Sequence, residues 1–134
     1  MSKYLIILLL ISFSSEEKET LVIDAFSSAT YTEIPLNDGK KWEANKETTE
    51  SIFKMIVITK EAIDSETYEP AEVRATLETE LQMLLKNCTI EGPARTQLHN
   101  YQLGLRYRMD AIKKEVETLK NVQTYLEKYH TYFE

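Results

Sequence analysis

The sequence predicts an all-α protein that folds as an up-down four-helix bundle. The chain has 134 residues, which suits one domain, and it contains only three Gly and three Pro. A fold of many hairpins would need more of these turn residues, so a few long helices are favoured. In the second half of the chain, apolar residues recur at steps of three and four, which is the period of a helix.

The first segment reads as a secretory signal peptide. Ten uncharged and mostly apolar residues, 4–13, follow Lys3, and Ser12-Phe13-Ser14 supplies a small-residue cleavage site. Ten helical residues rise about 15 Å, roughly half the hydrocarbon core of a bilayer. A transmembrane anchor is therefore the weaker alternative. We expect residues 1–14 to be removed, which would leave a periplasmic or secreted chain with no stable membrane span.

Two further regions follow the signal. Residues 15–35 show no helical period and predict an extended tether or a short strand. The bundle domain is expected to cover residues 36–134. Near its start, Asn37-Asp38-Gly39 indicates either a turn or a helix start with Asn37 or Asp38 as the N-cap. A first helix is expected within residues 41–64, with its apolar positions at Ile52, Phe53, Ile56, Ala62 and Ile63.

The second helix should begin at Pro70, because proline suits the first helical turn, and Gly92-Pro93 should end it. After this turn, a stripe of apolar residues at helical spacing runs from Leu98 to Phe133 without a strong helix breaker. A hairpin turning near residues 113–114 would give four helices. A single helix of about 40 residues, roughly 60 Å long, would give three. We favour the hairpin, because a lone helix of that length would leave half its stripe in water.

Four stretches of the sequence carry a resemblance to known proteins: Leu36 to Trp42, Asn87 to Gly92, Gln97 to Tyr101 and Tyr125 to Phe133. They resemble a family of small exported bacterial helical-bundle proteins. Members of that family carry a leucine, asparagine, glycine, lysine, tryptophan segment, a Cys-Thr-Met-x-Gly motif and a His-x-x-x-His pair. The resemblance covers roughly residues 31–134. It implies a helical bundle and export, and it implies no activity.

The chain departs from the family pattern at its histidines. Arg95 stands where the family has the first histidine of its pair, so only His99 matches. A further proline and histidine of the family correspond to Gly104 and Leu105, and the chain looks shorter between residues 112 and 122. If the histidines of the family hold a metal or haem, this chain has lost most of that site.

Cys88 and His99 are the candidate metal ligands, because they flank the turn between the second and third helices. A thiolate and an imidazole suit zinc or copper, and thioethers from Met83 and Met109 would favour copper(I). The competing interpretation is that Cys88 is a small core residue on the apolar stripe and His99 a surface or capping residue. Cys88 is the single cysteine of the chain, so an intramolecular disulfide is excluded.

Two functional hypotheses remain. The first is a structural or interaction module of the cell envelope with a protein partner. The second is a copper- or zinc-binding protein that uses Cys88 and His99. A formal net charge of −6 argues against nucleic acid as a partner, because phosphate binding needs a basic face. No catalytic set is recognisable, so we do not expect an enzyme.

Overall fold

The structure is a computed structural model that describes residues 33–134, and Ile34 to Glu134 form one compact unit. The predicted signal peptide and most of the predicted tether lie outside the described residues. The described chain contains four long helices and one short one: α1 Lys46–Ser65, α2 Pro70–Asn87, α3 Gly92–Asp110, α4 Val116–Glu127 and α5 Tyr129–Tyr132.

The four long helices pack as a bundle, which confirms the predicted all-α class. Links of four or five residues join consecutive helices, so sequence neighbours run antiparallel. Helix α1 packs most extensively on α2 and α4, and α3 packs on α4, whereas the pairing of α2 with α3 is the loosest. At that loose side, the Arg106 guanidinium donates to both carboxylate oxygens of Glu78, at 2.9 and 3.0 Å.

Helix α1 begins later than either candidate N-cap, Asn37 or Asp38, because residues 37–40 form a turn instead. Asn45 occupies the N-cap position without capping the backbone. Its side chain accepts from the Thr48 hydroxyl at 2.6 Å and donates to the Glu47 carboxylate and to the carbonyl of Asn87. The start of α1 is thereby tied to the end of α2.

Gly92-Pro93 starts a helix rather than ending one, which corrects the sequence prediction. Helix α2 ends at Asn87, and residues 88–91 form the link to α3. Pro93 sits in the first turn of α3 for the same reason that Pro70 starts α2: a proline there gives up no hydrogen bond. Gly92, with φ +66°, is the first residue of α3.

The hairpin between α3 and α4 is present, and the alternative of one long C-terminal helix is wrong. The turn between α3 and α4 contains no glycine or proline, and side-chain hydrogen bonds hold it instead. The Thr118 hydroxyl donates to the carbonyl of Glu115 at 2.7 Å and accepts from the N–H of Lys113 at 2.9 Å. Arg74 and Tyr68, from α2 and the link before it, donate to the carbonyls of Ile112 and Lys113. The turn therefore depends on contacts from a distant part of the chain.

Tyrosines fill the core at one end of the bundle. The Tyr101 and Tyr125 rings stack with centroids 4.8 Å apart, and each hydroxyl donates to the backbone carbonyl of the other residue, at 3.2 and 2.7 Å. Tyr129 contacts Tyr101 edge-on and stacks on Phe133 at 5.0 Å. The guanidinium of Arg108 lies over the Tyr125 ring, 4.2 Å from its centroid. The aromatic C-terminus is thus packed into the end of the bundle.

Among the helices of residues 33–134, none is long and apolar enough to cross a membrane.

Replacing Tyr125 with Phe should cost about 1 kcal/mol of unfolding free energy, because the change removes one buried hydrogen bond but keeps the stacked ring. Tyr125→Leu should cost more, since it also removes the stacking with Tyr101 and the contact with Arg108. Chemical denaturation measures both values. A Tyr125→Phe protein as stable as the parent would contradict the assigned hydrogen bond.

Stability should fall as the pH rises above 10. Burial raises the pKa of Tyr101, Tyr125 and Tyr129 above the ordinary 10.0. The unfolded chain then loses these protons at a lower pH than the folded chain, so the contribution to stability is complete below pH 10 and is lost above it. Denaturation midpoints between pH 8 and 12 test the sign, and tyrosinate absorbance should show delayed ionisation in the folded protein. Midpoints that rise with pH would contradict it.

Candidate binding cleft at Trp42

A tight turn precedes the first helix. Asn37 and Lys40 exchange both backbone hydrogen bonds, at 2.8 and 3.0 Å, around Asp38 and Gly39. Both central residues have positive φ, 52° and 81°, as a two-residue hairpin turn requires, and Gly39 adopts that angle without steric cost. The turn reverses the chain so that residue 41 begins a new extended segment.

Residues 42–44 pair with the C-terminal segment instead of continuing the hairpin. Pro35 stands opposite Trp42 in the hairpin register and has no N–H to donate. Trp42 donates its N–H to Tyr132 and accepts from Glu134, at 2.8 and 2.9 Å, and Ala44 donates to Glu134 at 2.8 Å. Pro35 still binds Trp42 through the side chain, because its carbonyl accepts from the indole Nε1 at 2.7 Å.

This pairing leaves one edge of the extended segment free. Backbone groups of alternate residues point to opposite edges, so Lys41 and Glu43 face away from the C-terminal segment. Within residues 33–134, the N–H and C=O groups of Lys41 and Glu43 have no hydrogen-bond partner. The segment therefore presents the kind of edge to which another extended chain can pair.

Lys41 and Glu43, whose backbone groups form this free edge, line a cleft of about 370 Å³, which we call the Trp42 cleft. Residues 37 and 40–43 line it together with Glu91, Pro93, Ala94 and Glu134. Trp42, which is half-buried, and Pro93, which is exposed, supply apolar surface. The amines of Lys40 and Lys41 and the carboxylates of the lining glutamates make no ion pair within the described chain. The cleft thus combines apolar surface, unpaired backbone groups and charges of both signs.

The candidate metal ligands Cys88 and His99 lie in different surroundings. Cys88 is half-buried, packs against the core and lies near the Tyr129 hydroxyl, whereas His99 is exposed on α3. No hydrogen bond joins Cys88 to His99 within the described residues. In that same part of the chain, no three His, Cys, Asp or Glu side chains are grouped so that they could hold a metal ion.

The two methionines differ in burial. Met109 is 3% exposed in the core at the end of α3, ten residues after His99 and therefore about 15 Å further along the helix axis. Met83 is 45% exposed on α2. Met109 and His99 thus cannot ligate the same ion while α3 is intact.

Sequence reasoning did not identify the free edge at Lys41 and Glu43. A signal was present in Asn37-Asp38-Gly39, which predicts a turn, and in Trp42, the single tryptophan of the chain, which follows three residues after that turn. The open edge itself depends on which segment pairs with Trp42. That partner is almost the whole domain away in sequence, and no local pattern reveals it.

Compared with protein-family models, with curated proteins and with solved structures, the chain matches none. The resemblance to the family of exported helical-bundle proteins therefore stays a prediction.

Proposed function

We propose that this protein is an exported interaction module of the cell envelope that holds an extended segment of a partner protein in the Trp42 cleft. One observation carries the proposal: Lys41 and Glu43, whose backbone groups are unpaired, line a cleft next to a half-buried tryptophan. A partner strand that pairs with such an edge gains backbone hydrogen bonds, and pockets beside the edge select its side chains.

The chemistry of the cleft suits a short peptide segment. The free edge spans only residues 41–43, about 7 Å at the rise of a strand, so two or three partner residues would pair with it. The faces of Trp42 and Pro93 would cover apolar side chains of the partner. Lys40 and Glu91, which have no ion-pair partner in residues 33–134, would bind side chains of opposite charge. Few hydrogen bonds and an open cleft favour a weak, exchangeable complex.

Export is supported by the sequence of residues 1–14, with its basic start, short apolar run and small-residue cleavage site. The acidic net charge of −6 suits a protein partner better than a polyanion. The alternative of copper or zinc binding by Cys88 and His99 receives no support from a specific contact, so the interaction module is the function that we propose.

Photo-crosslinking in the native host tests the site. The variant Lys41→benzoylphenylalanine places a photoreactive ring at the free edge, and it should crosslink to one predominant protein. Lys120→benzoylphenylalanine serves as the control, because Lys120 is an exposed lysine on α4. The same product from both positions, or no product from position 41, would contradict the proposal.

Amide exchange in the purified complex then tests the mode of binding. The N–H groups of Lys41 and Glu43 should exchange at least about tenfold more slowly when the partner is bound, since each gains a hydrogen bond. Those of Trp42 and Ala44 should change little, because both are bonded already. A complex in which neither the Lys41 nor the Glu43 amide slows would exclude strand pairing.

A further inference from the structure

A second surface lies on α1 and is chemically unlike the Trp42 cleft. Phe53 and Val57, one helical turn apart, are 54% and 49% exposed. The sequence predicts Phe53 on the core stripe, but neighbouring Ile52 takes the core position, and residues next to each other in a helix point about 100° apart. Large apolar side chains that are clustered and half exposed mark a surface that associates with protein.

These two side chains line an open groove of about 370 Å³ together with Ile58, Lys54 and Glu80, which we call the Phe53 groove. The Phe53 ring is held on its other side by the His130 ring, with centroids 5.3 Å apart. An anchor side chain that is already positioned loses less conformational entropy when it binds.

The charges of the groove are balanced. Lys54 on α1 and Glu80 on α2 contribute one of each sign, and neither forms an ion pair within residues 33–134. The groove is therefore locally neutral, although the whole chain carries −6. Long-range repulsion between two copies would be smallest where such neutral surfaces meet.

We propose that the Phe53 groove is the interface of a symmetric dimer of this chain. A two-fold axis sets the same patch of both copies face to face, so a patch must be complementary to itself. The apolar centre meets that condition, because Phe53 and Val57 pack against their counterparts. The charges meet it too, because Lys54 of one copy lies opposite Glu80 of the other in both halves of the interface. This proposal is independent of the Trp42 cleft.

Charge reversal with mixing tests the dimer. Purified Lys54→Glu and Glu80→Lys proteins are studied by sedimentation equilibrium, alone and as an equal mixture. Each variant alone sets like charges opposite each other twice, so its dissociation constant should rise roughly tenfold or more. In the mixed dimer, both pairs are again of opposite charge, so the mixture should regain the dissociation constant of the parent. An interface that does not pair position 54 of one copy with position 80 of the other would not give that result.

Two matched controls remove the effect of net charge. Lys120→Glu and Glu117→Lys make the same charge changes on exposed α4 residues that pair only with each other. Both controls should dimerise like the parent. Circular dichroism confirms that each variant is folded, and Phe53→Ala should also weaken the dimer. A parent that stays monomeric at all concentrations, single variants that dimerise like the parent, or a mixture that stays monomeric would overturn the proposal.

Discussion

The pairing of Trp42 with the C-terminal segment is the constraint on which both the closed end of the bundle and the candidate cleft depend. Its backbone hydrogen bonds hold residues 42–44 extended against residues 132–134. They also decide which edge of that segment is occupied and which remains free. Without this pairing, Lys41 and Glu43 would belong to an ordinary loop, and the cleft would lose the backbone groups that make it a candidate for peptide recognition.

The aromatic cluster gives that pairing a fixed support. Tyr129 and Phe133 stack in the core directly beside the segment that Trp42 contacts, and Tyr129 shares a hydrogen bond of 3.0 Å with Thr49 of α1. Tyr101 and Tyr125 join α3 to α4 through rings and hydroxyls together. Buried hydroxyls are costly when unpaired, so this arrangement favours one packing over others that would bury the same apolar area.

The helical period predicts the elements of the fold well and their ends less well. Most apolar residues at helical spacing on α2, α3 and α4 are buried, although Val116 is 37% exposed, because that spacing places them on one face of each helix. The hairpin near residues 113–114 follows from the same reasoning. The role of Gly92-Pro93 does not, because such a pair suits both the end of one helix and the start of the next.

The candidate sites were less predictable because they depend on distant contacts. Spacing places Cys88 and His99 near one turn, but it does not fix which way each side chain points. Cys88 packs toward the core and His99 is exposed to solvent. The adjacent pair Ile52 and Phe53 shows the same limit: the sequence reveals two apolar residues, and only packing decides which of them is exposed.

Closing the end of the bundle has a consequence for the order of assembly. The segments that pair, near residues 42 and 132, are about 90 residues apart, so their contact has a high entropic cost until the intervening helices have formed. The free edge should therefore appear only in molecules that have completed folding. If the proposed partner binds at this edge, an incompletely folded chain would be unable to engage it.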